Sequence, residues 1–459
     1  MAAAVEVARA GWKVLVLEAE PTLGGGSRTE ELTLPGFKHD TCSAVHPMGI
    51  ASPFFRELPL REHGLEWIHP DVQIAHPLDD GSAGVLEQSL EATANGLGTD
   101  ASRYTRLIGP LSKRWEQLAG SLMAPLLRPP PHPLAMAHFG LRALWPASTL
   151  ARRVFRTEQA RALFAGTAAH AFLPLSAPLT SSYGVLMLAL GHVDGWPVAR
   201  GGSQAIIDSL ASYLRSLGGE TRTGERVTSL EQLPPARAVF LDTTPHFVLD
   251  VARDRLHPRY RRRLERYKYG PGSFKIDWAL DGPVPWKADA CRRAGTVHLG
   301  GTLDEVAAAE MDVHKGRTAD KPYVLVGQQS LADPTRAPAG KHTLWAYCHV
   351  PNGSTVDMTD AIERQIERFA PGFRERIIGR SARPPAELER HNANYVGGDI
   401  VGGSGAGLQF AARPILSPSP YLVRGLDNVY LCSASAAPGG GVHGMCGYWA
   451  AQAALKRHN

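Results

Sequence analysis

The chain has 459 residues, of which 44% are hydrophobic and 20% are charged, so it can bury a large core and is not a disordered chain. At roughly 150 residues per domain, this length predicts two or three domains. The formal net charge is only +5. Without a concentrated basic stripe, so small a charge argues against a nucleic-acid-binding protein.

The cysteines and the apolar runs predict a cytoplasmic protein. Five cysteines lie far apart without a C-x-x-C pair, which argues against a disulfide framework and against a zinc site. The most apolar run, 181–193, is shorter than the roughly 20 residues that cross a membrane. Basic residues cluster at 142–156 and 253–270. Solvated helix faces account for both clusters, and the alternative is peripheral contact with an anionic membrane surface.

The first eighteen residues predict part of a nucleotide-binding unit. Residues 1–9 are an Ala-rich helix, Gly11 is placed to end it, and residues 13–17, KVLVL, form a short buried strand before Glu18. Helix, glycine, apolar strand and acidic residue form the second half of a dinucleotide-binding βαβ unit. The full unit begins with a strand and a G-x-G-x-x-G turn about 20 residues before the acidic residue, and this sequence does not contain them.

Further pieces of the same type recur along the chain. Each contains a Gly-rich turn or a short apolar strand beside a helix. They are a Gly-rich turn with a strand pair at 21–50, a double glycine with an amphipathic helix and two strands around Thr221 and Val227 at 200–230, a buried strand at 238–245, and a strand, Gly-rich loop and helix at 428–457.

Different material separates these pieces. Residues 76–190 show helical patterns with Pro-rich joints and no strand of comparable strength, which predicts a helical lobe. Residues 271–350 have the alternation and aromatic content of an antiparallel sheet, and a helix follows at 359–369. A domain assembled from three separated segments is an unusual layout.

Together these stretches resemble the FAD-dependent phytoene desaturase and carotene isomerase-like oxidoreductases, in the branch known as phytoene dehydrogenase-like. The matching stretches are LVLEAEPTLGGGSRT, LPGFKHDTCSAVHP, RGGSQAIIDSLASYLRSLGGE, LDTTP, SLADPTRAP with HTLWAYCHVP, and GGGVHGMCGYWAAQAAL. The resemblance covers essentially the whole chain and implies an α/β fold with a discontinuous Rossmann-like FAD-binding domain at 1–75, 196–250 and 395–459. It implies an α+β substrate domain at 76–195 and 251–394.

Several residues are candidates for binding FAD. Glu18 can accept hydrogen bonds from the adenosine ribose, and the turn Gly24, Gly25, Gly26, Ser27 and Arg28 can approach the pyrophosphate. The alternatives are a surface glutamate and an ordinary turn. The resemblance places Val227 beside the adenine, where a plain core valine is the alternative.

The C-terminal segment Gly439, Gly440, Gly441, Val442 and His443 is the strongest candidate. Its glycines let the backbone approach a flat ring, and the following helix N-terminus favours negative charge on a reduced flavin. His443 either bonds to the flavin or caps the helix. Cys432-Ser433-Ala434-Ser435 stands where many relatives carry an acidic residue for the ribityl chain, so hydroxyl groups would take that role.

The resemblance implies dehydrogenation of an apolar, isoprenoid- or carotenoid-like substrate by hydride transfer to flavin N5, between the helical lobe and the sheet. No catalytic residue and no metal ligand is assigned. A flavin-assisted polyene isomerase and a flavin amine oxidase are alternatives, and a cofactor-free binding protein is an alternative of another class. The missing strand and turn are expected to be encoded just before Met1, and FAD binding is expected to be weakened without them.

Overall fold

The computed structural model describes residues 1–417 and 420–458. Its strands are β1 Leu15–Leu17, β2 Thr29–Glu30, β3 His39–Asp40, β4 Trp67–Ile68, β5 Val72–Pro77, β6 Ala83–Leu86, β7 Val198–Ala199, β8 Glu220–Arg222, β9 Val239–Leu241, β10 Gly272–Leu280, β11 Ala294–Leu299, β12 Val324–Gly327, β13 His342–Val350, β14 Ile377–Arg383 and β15 Val429–Leu431. Its helices are α1 Ala2–Arg9, α2 Pro47–Ile50, α3 Pro53–Arg56, α4 Leu90–Gly96, α5 Ala101–Ser112, α6 Trp115–Leu122, α7 Pro133–Ala143, α8 Ala147–Val154, α9 Glu158–Ala169, α10 Thr180–Val193, α11 Gln204–Ser216, α12 Pro245–Ala252, α13 Pro258–Glu265, α14 Asp289–Arg293, α15 Leu303–His314, α16 Gln329–Ala332, α17 Thr359–Phe369, α18 Pro385–His391 and α19 Met445–His458.

The largest sheet has seven strands in the order β14-β10-β13-β12-β11-β5-β6. Its neighbours are antiparallel except β5 and β11, which run parallel. The side chains of strand β13 pack alternately in two hydrophobic clusters on opposite faces of the sheet. Leu344 and Ala346 pack in one hydrophobic cluster, and Trp345 and Tyr347 pack in another. Successive side chains of a strand point to opposite faces, so both faces of this sheet are covered.

The helical block begins later than the sequence predicts. Residues 72–86 form β5 and β6 of the large sheet, and the helical part runs from Leu90 to Val193. The prediction that the helical lobe starts at 76 without a strand is therefore wrong. Strand β5 is buried throughout, including Gln73 and His76, and these polar residues obscure its strand character in the sequence. The sheet also extends past 350, because β14 pairs with β10.

Two small parallel pairs join the segments predicted to bind FAD. Strand β1 pairs with β8, and β9 pairs with β15, so residues from 1–75, 196–250 and 395–459 meet in these ladders. Strand β1 is half-buried rather than buried, because it borders a large cavity. The second strand predicted around Val227 does not form, and Val227 lies half-buried in an irregular segment. The division into domains stays a prediction.

The two ends of the chain pack together. Helices α1 and α19 form a small apolar cluster from Ala3, Val7, Ala451 and Leu455. This contact brings the segment before Glu18 next to the segment after the C-terminal glycines. Both glycine-rich segments line the same cavity, as the next section describes.

Among the described residues, no helix combines the length and apolar character needed to cross a membrane. Contact with a membrane surface stays a prediction. The five cysteines are all buried and none is in a disulfide.

Candidate functional site

One large cavity of about 1560 Å³ contains the candidate cofactor-binding residues. This volume exceeds the roughly 300–1,000 Å³ of an ordinary ligand pocket, which leaves room for a cofactor and a substrate together. The structure brings all the predicted site residues to the cavity wall. They are Glu18, Gly24, Gly25, Ser27, Arg28, Val227, Gly439, Gly440, Gly441, Val442 and His443.

Glu18 follows β1 at the edge of the cavity. Its Oε1 accepts a hydrogen bond from the backbone N–H of Glu20 at 3.0 Å. Its side chain is 25% exposed, and Oε2 accepts no hydrogen bond from the described part of the chain. A carboxylate oxygen therefore remains available to the hydroxyl groups of a ribose.

Arg28 braces the glycine turn as well as facing the cavity. The guanidinium is 4% exposed, and its Nη2 donates to the carbonyl oxygen of Thr22 at 2.7 Å. Its Nε donates to Thr22 Oγ1 at 3.1 Å. Two of its nitrogens are thus committed to the turn, and Nη1 makes no hydrogen bond within the described residues. Only that nitrogen remains free to pair with an anionic oxygen.

The glycine turn needs its glycines because other groups approach them closely. A Cβ added at Gly26 would lie 1.8 Å from the hydroxyl oxygen of Tyr395. In the C-terminal segment, a Cβ at Gly440 would lie 2.9 Å from the carbonyl oxygen of Val401. Neither position therefore has room for a Cβ, and both glycines line the cavity with their backbone.

His443 caps α19, and its second ring nitrogen has no partner. The backbone N–H of Met445 donates to His443 Nδ1 at 3.0 Å, so Nδ1 is unprotonated. Burial lowers the pKa of His443 to about 4, against the opposing effect of the Gly439 and Gly440 backbone. The neutral ring therefore carries its proton on Nε2. This buried N–H has no hydrogen-bond partner among the described residues.

Some residues near the candidate site in sequence lie outside the cavity lining. Gly201 and Gly202 do not line the cavity, and the Gly201 N–H donates to Asp333 Oδ2 at 2.7 Å instead. Tyr448 and Trp449 also lie outside the lining. Trp449 is half-buried, and its Nε1 donates to the carbonyl oxygen of Met123 at 2.8 Å.

Other lining residues went unnoticed in the sequence. Asp242 directly follows β9 and supplies a carboxylate to the cavity wall. Arg413 donates to the carbonyl oxygens of Val401 and Ala434, so it fixes the backbone behind the C-terminal glycines. Ser433 and Ser435, by contrast, are named from the sequence in place of an acidic residue; both line the cavity, and their hydroxyl groups donate to backbone carbonyl oxygens. Their oxygens can still accept a hydrogen bond.

His46 and Cys42 also lie at the cavity. His46 Nε2 is 2.9 Å from Ser203 Oγ, and burial lowers the pKa of His46 to about 4. Burial raises the pKa of the Cys42 thiol. Both groups are therefore neutral at ordinary pH: His46 is a weak base because its pKa is low, and Cys42 is not the thiolate that nucleophilic chemistry requires.

The inner part of the cavity is apolar. We use the name inner cavity for the part lined by α6, α7, α10, the loop after α9, Trp196 and the large sheet, including Phe172, Leu186, Leu325, Trp345 and Tyr347. The Asp, Glu, Lys and Arg residues that line the cavity all come from 13–28, 225–242 and position 413. Within the described residues, the inner cavity therefore has no carboxylate, ammonium or guanidinium group in its wall.

A cavity with two glycine-rich walls, a free carboxylate oxygen at one end and an unpartnered buried donor fits FAD. Fold and site together define an FAD-dependent oxidoreductase. The chain belongs to the family of flavin containing amine oxidoreductases, whose pattern matches residues 1–253.

The comparisons with individual proteins agree with this class. The chain is 26% identical to pyridine nucleotide-disulfide oxidoreductase domain-containing protein 2 of Rattus norvegicus, over 97% of this chain and 90% of that protein. It is 25% identical to phytoene dehydrogenase of Streptomyces griseus, over 96% of this chain and 90% of the relative. In fold it resembles an oxidoreductase from Methanosarcina mazei, with a TM-score of 0.66 at 15% identity, over 99% of this chain and 97% of that one.

Proposed function

We propose that the protein removes hydrogen from an apolar, isoprenoid-like substrate held in the inner cavity. The observation that carries this proposal is the uncharged inner wall, formed by helices on one side and by Leu325, Trp345 and Tyr347 of the sheet on the other. Such a wall binds apolar surface favourably and offers no counter-charge to an ion. The similarity to a phytoene dehydrogenase supports the same substrate class.

Bound FAD supplies the electron acceptor for the bond that is oxidised. The residues of this chain hold the substrate, exclude water and orient the cofactor. The neutral ring of His443 presents its Nε2–H from the cradle of the C-terminal glycines, where a hydrogen-bond acceptor of the flavin can take it. No charged acid or base lies in the inner wall among the described residues, which suits removal of hydrogen from carbon without a strong proton acceptor.

Amine oxidation is the second candidate, because of the family to which the chain belongs. An alkylamine is a cation at neutral pH, and moving it into a wall without a carboxylate carries a large desolvation cost. The aromatic residues Phe172, Trp196 and Tyr347 offer ring faces to a cation, but such contacts contribute only about 0.5–2 kcal/mol. The inner wall therefore favours a neutral substrate over an amine.

The test is anaerobic mixing of the FAD-loaded protein with phytoene, geranylgeraniol and a long-chain primary amine. We expect the visible flavin absorbance to bleach with an isoprenoid, and the product to have lost two hydrogens by mass spectrometry. Bleaching by the amine alone would refute the proposal, and an isoprenoid product of unchanged mass would instead indicate an isomerase.

A matched pair of variants locates the substrate. Leu186 faces the inner cavity from α10, whereas Leu141 is 70% exposed on α7. Leu186→Trp fills the inner cavity and should slow bleaching without changing FAD affinity. Leu141→Trp should leave both unchanged. Equal effects of the two substitutions would contradict the placement of the substrate.

A further inference from the structure

A cluster of histidines lies behind the inner cavity, where α9 packs on the large sheet. His76 is on β5, His298 is on β11, and His170 directly follows α9. His170 Nε2 lies 3.2 Å from His298 Nε2, and His76 Nε2 lies 2.8 Å from the carbonyl oxygen of Gly301. The groups of His, Cys, Asp and Glu in the described part of the chain do not form a metal site.

Gly166 of α9 packs against the rings of His76 and His298. A Cβ added at Gly166 would lie 2.7 Å from His298 Nδ1 and 2.7 Å from His76 Nδ1. Both rings thus pack directly on the helix backbone, and both are completely buried. His298 in turn positions His170 through the bond between their Nε2 atoms, and the edge of Trp196 meets the His170 ring at a centroid distance of 5.5 Å.

His170 is the member of the cluster that reaches the inner cavity. Its Nδ1 makes no hydrogen bond to any described protein atom. The neighbouring wall is aromatic, with Phe172, Trp196 and Tyr347. A fixed polar nitrogen in an apolar wall is the arrangement that orients a ligand through one polar group.

The partner of His170 must be neutral. Burial, together with His349, lowers the pKa of His170 to about 3, so the ring stays uncharged. The nearby carboxylate of Glu310 is already bound to His349, with Nδ1 at 2.8 and 2.9 Å from its two oxygens. An ammonium group would find no free anion there, and a carboxylate would find no cation. A hydroxyl group can donate to or accept from Nδ1, whichever tautomer the ring adopts.

We propose that His170 binds a neutral hydroxyl group of the substrate, so that the natural ligand is an apolar alcohol rather than a pure hydrocarbon. This inference rests on the proposed function, because it requires the substrate to occupy the inner cavity. His298, His76 and Gly166 are positioning residues that hold the His170 ring towards that cavity.

The test compares geranylgeraniol with the matching hydrocarbon in which a methyl group replaces CH₂OH. Binding to the protein with FAD added is measured by quenching of tryptophan fluorescence, since Trp196 and Trp345 line the inner cavity. One neutral hydrogen bond should make the alcohol bind about 3- to 10-fold more tightly than the hydrocarbon. Equal affinities in the unmodified protein would overturn the proposal.

Variants separate hydrogen bonding from packing. His170→Phe should bind both ligands equally, whereas His170→Asn, whose amide can donate and accept, should retain part of the preference. Gly166→Ala should weaken the preference without touching the ligand, because the methyl group displaces His298 and His76. His132→Phe is the control, since His132 is exposed and lies outside the cavity. A preference that survives His170→Phe would refute the role of His170.

Flavin bleaching is recorded separately on the same samples. A hydroxyl preference without bleaching by any isoprenoid would support His170 as a binding residue and refute the dehydrogenation. Bleaching without a hydroxyl preference would support the dehydrogenation and refute the role of His170 in binding a hydroxyl group. Failure of the inference and failure of the proposed function are therefore distinguishable.

Discussion

Removing one partner of the buried ion pair between Asp40 and Arg336 should be among the most destabilising single substitutions near the cavity. Both side chains are at most 1% exposed. Asp40 Oδ1 accepts hydrogen bonds from the Ser203 N–H and the Thr29 hydroxyl, each at 2.8 Å, and Oδ2 pairs with Arg336 Nη2. The pair thus joins three segments of the chain beside the loop that carries His46.

Arg336→Met removes the guanidinium and keeps most of the side-chain volume. Leaving Asp40 as an unpaired buried charge should cost about 3–5 kcal/mol in the free energy of unfolding. The matched control is Arg152→Met, which breaks a pair with Asp304 whose side chains are 51% and 76% exposed. That change should cost about 0–1 kcal/mol. Urea unfolding followed by circular dichroism measures both. A difference between the two variants below about 1 kcal/mol would refute the reasoning.

The pH dependence supplies a second readout. Burial alone would raise the pKa of Asp40, but the charge of Arg336 and the hydrogen bonds from Ser203, Arg336 and Thr29 together lower it. A carboxyl with a lowered folded pKa stabilises the protein fully above its unfolded pKa, near 4, and loses that contribution as the pH falls through the folded pKa. The gap between the wild type and Arg336→Met should therefore be wide at pH 7 and narrow at acidic pH. A gap that widens on acidification would contradict this sign.

Three further predictions concern the cofactor and the buried histidines. Gly26→Ala should weaken FAD binding, measured by flavin fluorescence, at least about tenfold, because the added methyl group overlaps the Tyr395 hydroxyl. Adding Tyr395→Phe should restore part of the affinity, and the control Gly120→Ala, which has open space around it, should leave FAD affinity unchanged. His443→Asn keeps an acceptor for the Met445 N–H but removes the Nε2–H, so it should raise the FAD dissociation constant roughly 5- to 100-fold with little change in stability. An unchanged FAD affinity would exclude a hydrogen bond from Nε2 to the flavin. Burial lowers the pKa of His76 to about 4, so the unfolded state binds this proton first as the pH falls below about 6.5, and His76 should lower the free energy of unfolding by about 1.4 kcal/mol per pH unit there. His76→Gln should remove that pH dependence in urea unfolding measured from pH 6.5 to 4.5.

Local sequence patterns predicted the elements that border the cofactor end of the cavity. The helix and strand before Glu18, the helix from Gln204 and the final strand, glycine loop and helix all form where periodicity and glycines indicate them. These signals are local, because capping, period and turn chemistry act within a few residues. Glycine patterns and the family resemblance together named the candidate cofactor residues, and the structure places all of them at one cavity, although the direct contact of each with FAD stays a prediction.

The features that the sequence did not predict depend on contacts between residues that are far apart in the chain. Strand β5 is paired by β6 and β11, and its buried Gln73 and His76 find partners only in the folded chain. Val227 lacks a neighbouring strand, so its apolar character alone does not make one. The approach of His170 to His298 depends on contact between a helix end and a strand 128 residues apart, which no spacing rule encodes.

The glycine walls of the cavity have a consequence for biosynthesis. One wall is made by residues 24–28 and the other by residues 439–444, and α1 rests against α19. Because a chain is synthesised from its N-terminus, residues 24–28 are made early, whereas residues 439–444 become available to pack near them only when translation is almost complete. We therefore expect a flavin bound between these segments to be fully enclosed only after residue 439 has been made, and nascent chains that stop before it to leave the cavity open on one side.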